Sequence, residues 1–327
     1  MSCKSFLWLG IALVLLVCIP FYAKSQCFSS PGNPIGGTAN MGTVGESMLR
    51  IAAFYKYTRS DQYFEGGEKT DYKLVDKARY NFLGLTLGYG ITKKLTIENE
   101  TGYFLEKFQE YNFANYTQQG YGLSNALLSI KYAIYSNPEK RFEWSAGLGS
   151  KIPLRKSAQV IDGVEQHIDV QPSTGSYGIV FQNFLIKENS FTGTRFFLIN
   201  RFEYNFENPV NYFNNGVQYK FGNAYYTSFF VSKHLWFSWT KGDGAWTAIA
   251  QLRNETRQKR KENGDLVAAS GNSIFYFSPQ INITLFHRLN FSTILDIPLY
   301  QYYNEIQLGS GPAIMLNLSF DLFGEEW

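Results

Sequence analysis

The chain has little with which to cross-link itself. Its 327 residues include three cysteines, Cys3, Cys18 and Cys27. The first two fall in a stretch that reads as a cleavable export leader, Met1 to Ser25: Lys4 supplies the positive start, Phe6 to Ile19 an apolar core, and Ala23 and Ser25 the small residues of a cleavage site. Once that leader is removed Cys27 stands alone, so no intramolecular disulfide can form and an exported domain must find its stability elsewhere. Lipidation of Cys27 stays open, although Gln26 is a poor fit just before a lipidated cysteine. Histidine is as scarce, with three in the whole chain, and no GxSxG, HExxH or CxxC element is present, so the sequence offers no recognisable nucleophile with its base and no cofactor signature. Charge is sparse too. Asp, Glu, Lys and Arg make up 17% of the residues, against about 25% in ordinary soluble domains. Loss of Lys4 and Lys24 with the leader lowers the formal charge from +3 to +1, which gives no basis for binding nucleic acid. Beyond the leader no run approaches the roughly 18 apolar residues of a membrane helix.

What the chain has in quantity is aromatic rings, 28 Phe and 23 Tyr among them, and alternation. In "GLTLGYGITKKLTIENETGYF", residues 84 to 104, Leu85, Leu87, Tyr89, Leu95 and Ile97 share one parity, while Thr86, Thr96, Glu98 and Glu100 share the other. Side chains of a strand alternate between faces, so one face is greasy and the other polar. Phe142, Trp144, Ala146 and Leu148 alternate in the same way with Glu143, Ser145, Gly147 and Gly149, as do Ile314, Leu316, Leu318 and Phe320 with Asn317, Ser319 and Asp321.

After an irregular Gly- and Pro-rich lead-in, residues 26–46, about twelve such segments follow, near 47–58, 78–90, 94–106, 122–135, 141–153, 176–187, 194–206, 221–232, 244–256, 273–285, 289–302 and 312–323. Each is about the length of a tilted membrane-crossing strand. The connections alternate between short (Ile91 to Lys94, Asn137 to Lys140, Lys187 to Thr192, His287 to Leu289) and long (Arg59 to Asp76, Gln109 to Tyr121, Leu154 to Gly175, Glu207 to Lys220, Arg257 to Asn272, Tyr303 to Gly311), with Lys233 to Gly244 out of step. A soluble sandwich shares the alternation but leaves edge strands and has turns of similar length at both ends. The expectation is an all-β fold, an up-and-down antiparallel transmembrane β-barrel over residues 47–327, with short periplasmic turns, long extracellular loops and an aromatic girdle from residues such as Tyr55, Tyr89, Tyr103, Tyr225 and Trp246.

The leader, the alternating loops and the aromatic end "LNLSFDLFGEEW", with Phe320, Phe323 and Trp327, resemble a Gram-negative outer-membrane barrel. The lead-in "CFSSPGNPIGGTANMG" before about twelve strands is similar to exported Bacteroidota barrels related to the MetA-pathway-of-phenol-degradation transporters. Gly324, Glu325 and Glu326 separate Trp327 from the last strand, a departure from barrels whose terminal aromatic closes it. The resemblance implies an outer-membrane location, contact with outer-membrane lipid, lipopolysaccharide and the barrel-assembly machinery, and passage of small solutes, hydrophobic ones among them.

If the apolar faces meet lipid, parity turns Arg50, Lys56, Lys131, Lys151, Arg195, Arg201 and Arg253 inward as cations and Glu98, Glu100, Glu143, Glu203, Glu255, Asp296 and Asp321 inward as anions. The sets balance, which argues against a simple ring selective for one sign. The same residues serve equally as a salt-bridge brace, with Glu98 or Glu100 reaching Lys131 on the next strand, or as a charged constriction. The lead-in is a candidate plug. The whole reads as a channel, or alternatively as a non-conducting barrel that anchors surface machinery. Two minor features remain. Glu165, His167 and Asp169 would share one face of an extended segment, where two could hold a metal but three could not without bending, and "RQKRKENG" from Arg257 sets cations in an outer loop within reach of lipopolysaccharide phosphates.

Overall fold

The computed structural model describes residues 42–112, 116–189, 191–235, 245–286 and 288–323. The proposed leader, Cys27, most of the lead-in, His287 and Trp327 lie outside these residues. Twelve strands form the wall: β1 (Leu49–Ser60), β2 (Val75–Gly90), β3 (Leu95–Tyr111), β4 (Asn125–Asn137), β5 (Phe142–Pro153), β6 (Gly178–Asn189), β7 (Thr194–Asn205), β8 (Ala224–Leu235), β9 (Ala245–Arg257), β10 (Asn272–Leu285), β11 (Leu289–Leu308) and β12 (Ala313–Leu322). Each pairs antiparallel with its chain neighbours, and β1 pairs with β12 from Leu49 opposite Leu322 to Thr58 opposite Ala313, so the sheet closes into a barrel.

The alternation sorts as a barrel in lipid requires. On β2, Leu83, Leu85, Leu87 and Tyr89 are exposed on the outside while Phe82, Thr86 and Gly88 face in, and the outer face continues through Ile130, Leu148, Phe181, Phe229, Leu252, Phe291 and Leu316. An exposed apolar band around a polar interior is the inverse of a water-soluble core. Part of the interior is apolar even so. Phe54, Phe82 and Phe104 pack as tilted rings on the inner wall of β1 to β3 beside Met315 and Ile294, with Phe82 and Phe104 at 4.7 Å between ring centres. The rings fit there because Gly84 and Gly102 leave room: a Cβ on either would stand 2.1 Å from the neighbouring ring.

The long-loop end departs from the sequence reading in several places, two of which bear on the interior. The stretch from Tyr303 onward, expected as a loop, is largely strand: β11 continues to Leu308, and because β12 is short the hairpin made by Tyr63–Gly66 and Glu68–Thr70 pairs with its free upper edge. On β3 a bulge inserts one residue after Phe104 and reverses the parity of everything beyond it. Lys107 and Gln109 therefore face in, and Glu106 faces out.

Candidate functional site: the barrel interior

The inward charges form three groups. Asp296 on β11 is the centre of the first: its carboxylate accepts from Lys56 Nζ on β1 at 2.7 Å, from Arg253 on β9 at 3.0 Å and from the Ser278 hydroxyl on β10 at 2.7 Å. Arg253 also meets Glu255 at 2.9 Å. All but Glu255 are nearly devoid of solvent contact, so each charge depends on these partners rather than on water. In the second group Lys131 on β4 meets Glu98 on β3 at 2.7 Å and stands 4.8 Å over the Phe184 ring.

The third group crosses the barrel. Arg201 on β7 holds Glu203 on its own strand at 2.8 Å and Glu100 on β3 at 3.1 Å. Strands β3 and β7 are separated in the wall by β4, β5 and β6, so the Glu100 contact is a bar across the interior rather than a bond along the wall. The two acids proposed as partners of Lys131 are thus divided, Glu98 taking it and Glu100 reaching over.

The remaining parity-assigned residues lie nearer the ends. Arg50 binds Asp321 in a two-pronged pair at 2.7 and 2.8 Å, Arg195 meets Glu188, and Lys151 donates to the amide oxygen of Asn205. Glu143 accepts from the backbone N–H and the hydroxyl of Thr43, at 3.3 and 3.1 Å. That contact belongs to the last part of the lead-in, which lies inside the short-turn end. Val44 is buried and its N–H donates to the Thr96 hydroxyl at 2.8 Å, and a Cβ on Gly42 would stand 3.1 Å from both Glu143 and Ile186 on β6. Gly90 on β2 lets the segment approach, since a Cβ there would be 1.9 Å from the Gly45 carbonyl oxygen.

At the other end the long loops fold over the opening. Ala158 and Ile168 pack with Tyr212, Phe213 and Phe221, the Tyr212 hydroxyl donates to the Ser173 carbonyl, and burial pushes that phenol up to about 12. The strand Thr117–Leu123 extends the wall beside β3, and its outer edge is met by glutamine side chains: Gln159 accepts from the Tyr121 N–H and Gln166 from the Gln119 N–H, both at 3.0 Å.

The three residues weighed for metal binding do not share a face. Residues 168–170 form a 3-10 turn capped by His167, and Glu165 turns away to accept the Asn214 N–H at 2.8 Å. His167 Nδ1 meets Asp169 at 3.3 Å, and Arg260 approaches Asp169 at 3.9 Å while holding Glu262 at 3.0 Å. No group of three potential metal ligands occurs among the described residues. Desolvation works against the charged forms of both His167 and Asp169, but their mutual attraction prevails, raising the imidazole above its usual 6.5 and holding the Asp169 carboxyl at about 2. A raised imidazole contributes its stabilisation below the ordinary value and loses it as pH rises through the folded value. Proteolytic cutting within residues 158–171 should therefore become faster as pH is raised from about 6 to about 8, and His167→Ala should remove that dependence; equal slopes for the two proteins would refute the tie.

Two inward cations were not legible in the sequence. Lys107 is brought in by the bulge, for which the only sign is the unbroken apolar run Tyr103, Phe104, Leu105. Arg257, expected in an outer loop, ends β9 and donates to the Tyr226 hydroxyl at 2.8 Å inside the barrel. Together with the paired Arg260, it takes two of the four cations of "RQKRKENG" away from the lipid-facing side.

No protein-family model matches the sequence, and no curated protein does. Solved structures do match. The COG4313 outer membrane channel from Pseudomonas putida F1 superimposes with a TM-score of 0.67 at 11% identity, over 88% of this chain and 100% of that one. The beta domain of the Bordetella autotransporter BrkA superimposes with a TM-score of 0.50 at 7% identity, over 85% and 100%. The chain has the fold of outer-membrane barrels. At such identities the likeness concerns the fold, and function rests on the interior.

Proposed function

We propose that this protein is an outer-membrane channel for small solutes, with the inward charges as its path and gate. The carrying observation is the Glu100–Arg201 bar, which spans the interior between walls that are apolar outside and charged inside. A brace along the wall needs neighbouring strands only, whereas a contact between β3 and β7 obstructs whatever moves through the middle. The apolar inner patch at Phe54, Phe82 and Phe104 suits the hydrophobic solutes that the Bacteroidota resemblance implies. Outer-membrane lipid, lipopolysaccharide and the assembly machinery are the expected surroundings, and neither a cofactor nor catalysis enters this reading.

A second reading, a closed barrel that anchors surface machinery, draws support from the density of the interior: Lys131, Arg253 and Asp296 are 2–3% exposed, and loops cover one end. Single-channel recording of the refolded mature chain in a planar bilayer separates the two. Discrete current steps support the channel; verified insertion without current, together with a co-purifying partner, supports the anchor.

The lead-in acts as a plug in this reading. Deletion of residues 26–46 should raise unitary conductance, and Gly90→Val should move it the same way by displacing the segment from the inner wall. Unchanged conductance in both variants would remove the plug from the account.

A further inference from the structure

We propose that the outer wall over β6 to β9 is the interface through which this barrel pairs with a second copy of itself. On that wall Asn183, Asn200, Thr227 and Asn254 stand side by side on four consecutive strands, Asn183 opposite Asn200, Asn200 opposite Thr227, and Thr227 opposite Asn254. All four are half-buried and share the parity of exposed residues on their own strands, Phe181, Phe196, Phe229 and Leu252. The row lies inside the apolar band rather than at its rim. On its short-turn side the next outward residues are Leu185, Leu198, Phe229 and Leu252, and on its long-loop side they include Phe181, Phe202 and Tyr225. By contrast, the outward Asn99 lies between Leu87 and Leu128, and the outward Thr293 between Ile281 and Leu316.

A polar side chain turned toward hydrocarbon is costly unless its donors and acceptors are satisfied. Neighbours meet part of that need. The Trp144 indole N–H donates to Asn183 Oδ1 at 2.7 Å and the Thr227 hydroxyl to Asn200 Oδ1 at 3.0 Å, while Asn254 is tied to Ser273 and Thr256 at 3.2 and 3.0 Å. The carboxamide nitrogens of Asn183 and Asn200 donate to no described residue. Their chemistry selects the occupant. A row without Lys or Arg offers little to a lipid phosphate, whereas carboxamides and hydroxyls carry donor and acceptor together and so complement themselves. Two copies related by a two-fold axis along the membrane normal set this wall against its own image, with Asn200 and Thr227 at the centre of the contact. Uncharged polar side chains join membrane-spanning segments in this way. Rings on either side add packing: Phe202 and Tyr225 lie 4.6 Å apart between centres, and Phe196 stacks on Phe229 at 6.4 Å, a rim of the aromatic kind enriched at protein interfaces.

Crosslinking in outer-membrane fractions tests the interface. In a Cys27→Ser background, Thr227→Cys treated with a flexible bis-maleimide should run as a dimer, and Leu85→Cys should stay monomeric. Leu85 is exposed on the outer face of β2, six strands from β8 in either direction round the wall, so it reports chance collision. The double substitution Asn183→Leu, Asn200→Leu should weaken dimerisation roughly tenfold or more in sedimentation equilibrium with density-matched micelles. Circular dichroism establishes that this variant is folded, and the cysteine variants keep the proposal testable if it is not. Monomer throughout, equal crosslinking of both cysteines, a dimer indifferent to the leucines, or a crosslink to a different polypeptide overturns the proposal. The interface does not rest on the channel reading: an electrically silent dimer keeps it and sinks the channel, and a conducting monomer does the reverse.

Discussion

Asp296→Asn should lower the unfolding free energy of the barrel in micelles by about 3–5 kcal/mol, the cost of leaving buried charges without their counter-ion. The expectation follows from position. Asp296 is the single carboxylate between Lys56 and Arg253, and it lies where water scarcely reaches. Asparagine fills the same space and keeps an acceptor for Ser278, so the change isolates the charge from the packing. Arg253 retains Glu255, whereas the buried Lys56 amine loses the carboxylate that it meets at 2.7 Å. A double substitution, Asp296→Asn with Lys56→Met, should recover a large part of the loss, because removing both partners avoids the stranded charge. Guanidinium titrations followed by tryptophan fluorescence measure both. A loss below about 1 kcal/mol for the single variant, the level of an exposed surface pair, would mean that solvent reaches this cluster.

The barrel was legible in the sequence because lipid outside and polar groups inside impose a period of two on every strand, and a closed ring has no edge strand to break the pattern. Leu85, Leu87, Glu98 and Glu100 carry that information one residue at a time, and neighbouring strands repeat it. What parity cannot carry is a change of parity. The bulge after Phe104 leaves composition and length untouched, yet it exchanges the faces of Glu106 and Lys107. Long-range pairing is hidden for a similar reason: alternation says that Glu100 and Arg201 both point inward, but only the curvature of the closed wall brings β3 within reach of β7. The Tyr303 segment reads as a loop because its polarity, with Asn304 and Gln307, is that of a strand whose inner face meets other polar groups beyond the apolar band.

Glu100→Gln and Arg201→Gln should shift ion preference in opposite directions, which no purely structural role for the bar predicts. Replacement of Glu100 by glutamine leaves Arg201 with Glu203 as its carboxylate partner, reduces the contact between β3 and β7 from an ion pair to at most a neutral hydrogen bond, and adds one unit of positive charge to the interior. Conductance should rise by roughly twofold or more, with the zero-current potential in a salt gradient moving toward anion preference. Replacement of Arg201 removes the same ion pair but leaves Glu100 and Glu203 on the path, so conductance should rise again while the potential moves toward cation preference. Two substitutions that break the same ion pair with opposite charge thus separate the geometric effect from the electrostatic one, the first read in the size of the steps and the second in the sign of the shift. If the pair were only a brace, both variants would lose stability and leave conductance and sign unchanged. That result would return Glu100 and Arg201 to the brace reading and leave the loops at one end and the lead-in at the other as the parts that could gate the barrel.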